Sequence, residues 1–335
     1  MGSVQLHGAS DGARVSCVTF VAQRILSNME RLPIGVFDSG LGGLTVAREI
    51  ARALPHESIL YFGDTARCPY GPRDLAEVRR FVLEIGTWLT RRGVKLIVIA
   101  CNTATAAGLA LAQRAFDVPV VGVVEPGARA AVMATVNRRV GVIGTVGTIE
   151  SGAYSRAVRS LDAGVTVFSA ATPRFVDIVE EGLRRGPGQL ETWISDTTEV
   201  FIRPSFHEIA RDYLDPLKRS GIDTLVLGCT HFPLLSAAIQ QVVGSAVRLI
   251  SSAEETALEV AETLARRGHL ATESTARHEF ATTGDPSEFI QLGSRVLRSP
   301  ITEAEGVNLQ ELVDLPSIEL LELMRDPTLT EATCI

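Results

Sequence analysis

One pattern constrains this chain more than any other. A short apolar run ends in a small or polar turn, and a helical pattern begins at once. Residues 34–37 form such a run, followed by Asp38-Ser39-Gly40-Leu41-Gly42-Gly43 and a helical stretch over 44–54. The unit returns at 58–62, 95–100, 118–124, 140–143, 165–169, 224–227, 247–250 and 278–282. Predicted helices fall at 74–92, 102–115, from 127, from 151, at 174–183, 197–220, 233–243 and 253–267, with a Gly- and Arg-rich loop at 184–189. Strands alternating with helices build parallel sheets covered on both faces. In such sheets ligands bind just past the strand C-termini, so the polar turns are the residues to read for chemistry.

Composition supports a buried-sheet protein and excludes several partners. Hydrophobic residues make up 46% and aromatics 5%, so aliphatic side chains must fill the core. The length of 335 residues allows two domains. A net charge of −7 offers no footprint for nucleic acid or an anionic membrane. No apolar run reaches the roughly 18–20 residues of a membrane span. The five cysteines, Cys17, Cys68, Cys101, Cys229 and Cys334, show no C-x-x-C and are expected as reduced thiols in the cytoplasm. Residues 1–32 are expected to be a disordered extension, with Met29 a rival start, and no signal-peptide pattern is complete there. Residues 301–335 carry eight acidic residues against Arg325 alone, and are expected to be a weakly packed or disordered tail.

Two of the strand–turn–helix units match each other. Val98-Ile99-Ala100-Cys101-Asn102-Thr103 and Val226-Leu227-Gly228-Cys229-Thr230-His231 each place a cysteine after an apolar strand and a small residue, with hydrogen-bonding groups following. A single cysteine in such a place reads more readily as a small core residue. Two in matching contexts suggest an internal duplication that sets two thiols face to face. A thiol pair suits inversion of a stereocentre, where one group removes a proton and another delivers one to the opposite face. The ordinary cysteine pKa of about 8.5 lies near working pH. A helix N-terminus is expected to lower it by favouring the thiolate. Lys95 and Lys218, the only two lysines, are not placed for a Schiff base, and no paired Cys/His spacing suits zinc. A Cys–His hydrolase would leave one cysteine unexplained.

Six segments resemble, in order and spacing, the signature set of the cofactor-independent glutamate racemase family. They are IGVFDSGLGG at 34–43, GDTARCPYG at 63–71, ACNTA at 100–104, VVGVVEPG at 120–127, VIGT at 142–145 and GCTHFP at 228–233. The resemblance implies two pseudo-symmetric, doubly wound α/β domains with the active site between them. The expected first domain is 33–122 plus 247–300, and the second 123–246. It further implies Cys101 and Cys229 as the catalytic pair, and Asp38, Glu180 and His231 as auxiliary acid/base groups. Substrate contacts fall on Asp38, Ser39, Tyr70, Gly71, Asn102, Thr103, Thr230 and His231, with Thr145 and Thr148 open as carboxylate ligands. The implied reaction interconverts L- and D-glutamate for peptidoglycan, without cofactor or metal, in a homodimer. Aspartate as substrate and an added DNA gyrase-binding role stay open as alternatives.

Overall fold

The computed structural model describes residues 29–185, 204–272 and 276–324. Its strands form two sheets, each parallel throughout. The first takes β1 (Ile34–Asp38), β2 (Ile59–Gly63), β3 (Leu96–Ile99), β4 (Val120–Gly122), β9 (His278–Thr282) and β10 (Glu305–Gly306) in the spatial order β10-β9-β2-β1-β3-β4. The second takes β5 (Arg139–Gly144), β6 (Thr166–Ala171), β7 (Thr224–Gly228) and β8 (Arg248–Ser251) in the order β6-β5-β7-β8.

These orders contain the same motif. In each sheet the opening strand lies between the second and third, and the fourth lies beyond the third. The order reverses between β1 and β3 in one sheet and between β5 and β7 in the other. Such reversal points open the crevice in which doubly wound folds bind ligands. Cys101 follows β3 and Cys229 follows β7, so the matching sequence contexts occupy matching positions in two α/β lobes.

The strands pack as continuous apolar runs. Every residue of β1, β2, β3 and β7 is buried, as expected for strands covered on both faces. Capping agrees with sequence at the helix Leu75–Arg91, where Asp74 accepts from the Ala76 N–H at 2.6 Å. The helix Ser252–Arg267 packs against both Leu44–Ala53 and Val124–Ala134, joining the two lobes.

Three expectations need correction. First, β8 hydrogen-bonds to β7, so the return to the first lobe comes after 251 rather than at 247. An apolar strand does not declare which sheet it joins. Second, the tail over 301–324 is part of the fold. Glu305–Gly306 extends the first sheet beside β9, and Ile301, Val307 and Leu312 are buried. Pro316 separates two short helices, Leu309–Val313 and Ile318–Leu323, instead of ending the packing. Third, sequence periodicity missed the helix Pro286–Leu297, which Asp285 caps through the Ser287 N–H at 2.8 Å. Of the extension expected to be disordered over 1–32, residues 1–28 lie outside the described residues, while 29–31 are helical and the Glu30 carbonyl accepts from Lys95 Nζ at 2.8 Å. Much of the expected loop at 184–189 and the start of the expected helix at 197–220 also lie outside the described residues.

Candidate active site

The two lobes enclose a cavity of about 130 Å³, a few water volumes in size. From the first lobe it is lined by Ser39, Tyr70, Gly71, Cys101, Asn102 and Thr103. The second lobe contributes Thr145, Cys229, Thr230 and His231, together with Val176 and Asp177. Asp38 and Glu180 are not among the lining residues; Glu180 hydrogen-bonds His231, which does line the cavity.

Each thiol is held by its own strand–helix junction. Cys101 is the N-cap of the helix Asn102–Ala115: its Sγ accepts from the Ala104 N–H at 3.5 Å and its S–H points to Ser39 Oγ at 3.9 Å. Burial pushes the Cys101 thiol up to about 12, and the Asp38 charge adds to this, against the opposing Ala104 N–H and Ser39 hydroxyl. The expected lowering by the helix N-terminus is therefore overturned for Cys101. A helix terminus contributes about 2 kcal/mol at most, and removing a thiolate from water costs more. Cys101 is thereby held as a protonated thiol.

Cys229 has a different neighbour. His231 Nδ1 lies 3.7 Å from the Cys229 sulfur, and His231 Nε2 lies 2.8 Å from Glu180 Oε1. Burial alone would lower the imidazole pKa, yet hydrogen bonds to Cys229 and Glu180 and their charges carry it well above its ordinary value. Burial likewise opposes ionisation of Glu180, while His231 and then Arg184 hold its carboxyl below the usual range. The result is an imidazolium clamped between a carboxylate and a sulfur. The two thiols are thus unequal: one is a sealed acid and the other faces a cation.

Other residues shape the pocket. Asp38 is fully buried; its Oδ2 accepts from the Gly40 N–H at 3.1 Å, and its Oδ1 has no partner. The Gly-rich turn therefore binds its own carboxylate. Gly42 is a close approach: a Cβ there would stand 2.5 Å from Thr230 Oγ1 and 2.6 Å from His231 Nδ1. Tyr70 gives its hydroxyl to Asp64, and Tyr70 and Gly71 both line the cavity. Asp64 is itself held by Arg67 at 2.6 Å and by Thr283 at 2.8 Å, which fixes the loop from beneath. Thr103 Oγ1 lies 2.9 Å from Thr145 Oγ1 and 3.3 Å from Thr148 Oγ1, joining the lobes by hydroxyls. Asn102 Nδ2 donates to the Tyr154 hydroxyl at 2.8 Å, leaving Asn102 Oδ1 buried without a partner. Sequence reasoning missed Tyr154 and Asp177, since neither sits in a strand-end motif.

The pattern of the Asp/Glu/Hydantoin racemase family matches residues 34–260. The chain belongs to that family. Its membership makes it a racemase, and relatives refine the likeness. The glutamate racemase of Corynebacterium diphtheriae is 49% identical over 278 residues, 83% of this chain and 98% of that protein. Among solved structures, a glutamate racemase isoform of Bacillus anthracis superposes with a TM-score of 0.75 at 44% identity, over 84% of this chain and 98% of that one. The glutamate racemase of Francisella tularensis, in complex with D-glutamate, superposes with a TM-score of 0.73 at 31% identity, over 85% and 99%.

Proposed function

We propose that this racemase interconverts L- and D-glutamate by two-thiol proton transfer between Cys101 and Cys229. The observation that carries the reading is the pair of cysteines at equivalent strand ends of two lobes, lining one cavity. The near full-length likeness to glutamate racemases, one of them holding D-glutamate, supports glutamate as substrate.

In the L-to-D direction, the Cys229 thiolate removes the α-proton of L-glutamate and the S–C bond count is unchanged; only the proton moves. The electron pair left on the α-carbon delocalises into the adjacent carboxylate, and the carbon becomes planar. Cys101 then gives its thiol proton to the opposite face, leaving D-glutamate, a Cys101 thiolate and a Cys229 thiol. The reverse reaction exchanges these roles. His231, held cationic by Glu180, faces the Cys229 sulfur in whichever state carries negative charge there. On the other side, Asp38 opposes ionisation of Cys101, and Ser39 and the Ala104 N–H receive the charge when it forms. The hydroxyls of Thr103, Thr145 and Thr230 are the groups offered to the substrate carboxylates, with Tyr70 and Gly71 lining the same cavity.

The same reading assigns the enzyme to D-glutamate supply for peptidoglycan, in the cytoplasm and as a homodimer. No helix among the described residues is long and apolar enough to cross a membrane. The test is incubation of purified, dialysed protein with L-glutamate and chiral quantitation of product. D-glutamate should accumulate to equal amounts of the two enantiomers without added PLP or metal. Absence of D-glutamate, or its appearance only on adding PLP, would overturn the reading.

A further inference from the structure

A second cavity of about 290 Å³ adjoins the first, and the helix Pro173–Arg185 contributes lining residues to both. Val176 and Asp177 line both cavities, and Glu180 and Arg184 line only the second. This helix follows β6 and so belongs to the second lobe, yet its last turn is gripped by the first. Arg184 Nε lies 3.3 Å from Glu288 Oε1, on the helix Pro286–Leu297 that follows β9. The other face of the Arg184 guanidinium, Nη2, lies 3.6 Å from Glu180 Oε2. Two helical turns beyond Glu288, on the same side, the buried Arg295 donates to the Leu183 carbonyl. A guanidinium at a helix C-terminus meets both the free carbonyls and the negative end of the helix dipole.

These contacts form a line across the cleft: Glu288, Arg184, Glu180, His231, Cys229. Signs alternate along it, and each link limits the freedom of the next. Glu180 uses one oxygen on His231 and the other on Arg184, so Arg184 fixes the rotation of the carboxylate that aims the imidazole. We infer that Arg184, braced by Glu288 from the opposite lobe, is a positioning residue for the Cys229 half of the reaction, coupling contact between the lobes to the orientation of His231. This rests on the two-thiol reading above. It adds a device that operates only when the helices Pro173–Arg185 and Pro286–Leu297 are engaged.

The pair is more than half exposed, at 58% and 53%, so its energetic weight is that of a surface ion pair. Loss of it should lower kcat/KM about two- to fivefold. Because the two enantiomers are equal in free energy, that loss must be the same in both directions. The discriminating readout is the primary isotope effect on kcat/KM with α-deuterated substrates. Deuterated L-glutamate reports proton removal by Cys229, and deuterated D-glutamate reports removal by Cys101. In Arg184→Gln and in Glu288→Gln the L-side effect should rise and the D-side effect fall, because the Cys229 step becomes the slower one. Arg184→Lys should restore both, and the double variant should lose no more than either single one. A rate loss with both isotope effects unchanged, or no rate loss at all, would overturn the inference. A crystal structure of Arg184→Gln gives a check independent of turnover: Glu180 should have left His231, and an unmoved Glu180 would overturn the clasp. Failure of the unaltered enzyme to racemise glutamate would instead overturn the reading beneath it.

Discussion

Gly42→Ala tests how tightly the two lobes meet at the site. A Cβ at residue 42 would lie 2.5 Å from Thr230 Oγ1, 2.6 Å from His231 Nδ1 and 2.7 Å from His231 Cε1. Ordinary contact begins at 3.4 Å, so the loop carrying Thr230 and His231 must retreat by about 0.9 Å. The neighbours cannot give cheaply. The Thr230 carbonyl receives the Thr45 hydroxyl at 3.1 Å, and His231 is fixed by Glu180 at 2.8 Å. Overpacking of this kind costs about 1–3 kcal/mol, which for a protein of this size lowers Tm by roughly 1–2 °C per kcal/mol. The kinetic cost is larger, since about 1 Å of displacement at a proton-transfer centre removes on the order of 10²-fold in rate. Scanning calorimetry and the D-glutamate assay read the two effects separately. Gly268→Ala is the control: its φ of 67° strains an alanine, but nothing lies within 4 Å of the new methyl. That variant should lose stability by about 1–2 kcal/mol and keep its kcat. A Gly42→Ala enzyme with normal Tm and normal kcat would refute the close approach.

Cys101→Ala and Cys229→Ala should each lower racemisation by about 10²–10⁴-fold, with no additivity in the double variant, while Cys68→Ala keeps most of the activity; chiral chromatography of product decides. Deleting residues 1–28 should leave activity within about twofold, whereas Lys95→Met should destabilise the fold by about 3–5 kcal/mol in urea unfolding, because Lys95 pairs with buried Glu57 and donates to the Glu30 carbonyl at 2.8 Å. His231 gains stability from a raised pKa, so its contribution is complete below its unfolded value, near 6.5, and is lost as pH rises through the folded pKa. Glu180, held low, contributes above its unfolded value and loses that contribution as pH falls through its folded pKa. Urea titrations of the unaltered protein and His231→Gln across alkaline pH should therefore converge as pH rises; curves that stay parallel there would contradict the clamped imidazolium.

The strand-end motifs were legible because apolar runs and polar turns are local. Cys101, Cys229, Asn102, Thr103, Thr230 and His231 fall where that grammar puts ligand groups, and the repeated Cys context matches the repeated strand order. Glu180, on a loosely patterned segment, stands at 2.8 Å from His231. Properties of assembly were not legible. The thiol of Cys101 rises to about 12 because neighbours distant in sequence exclude water from it, which no local pattern records. Tyr154 meets Asn102 across 52 residues of chain. β8 and the segment over 301–324 read ambiguously because an isolated apolar stretch names no partner. Arg184 and Glu288 carry no motif at all, and only the meeting of two helices gives them a role.

The central claim is that two thiols act on opposite faces of one α-carbon, and heavy water tests it most directly. L-glutamate should be converted in deuterium oxide and both enantiomers recovered at low conversion for mass analysis. Two-thiol transfer predicts D-glutamate carrying one α-deuterium, delivered from Cys101, while the remaining L-glutamate stays unlabelled, since its proton leaves only to Cys229. Deuterium in recovered L-glutamate at the rate of product formation, or D-glutamate that keeps the original α-hydrogen, would contradict the account.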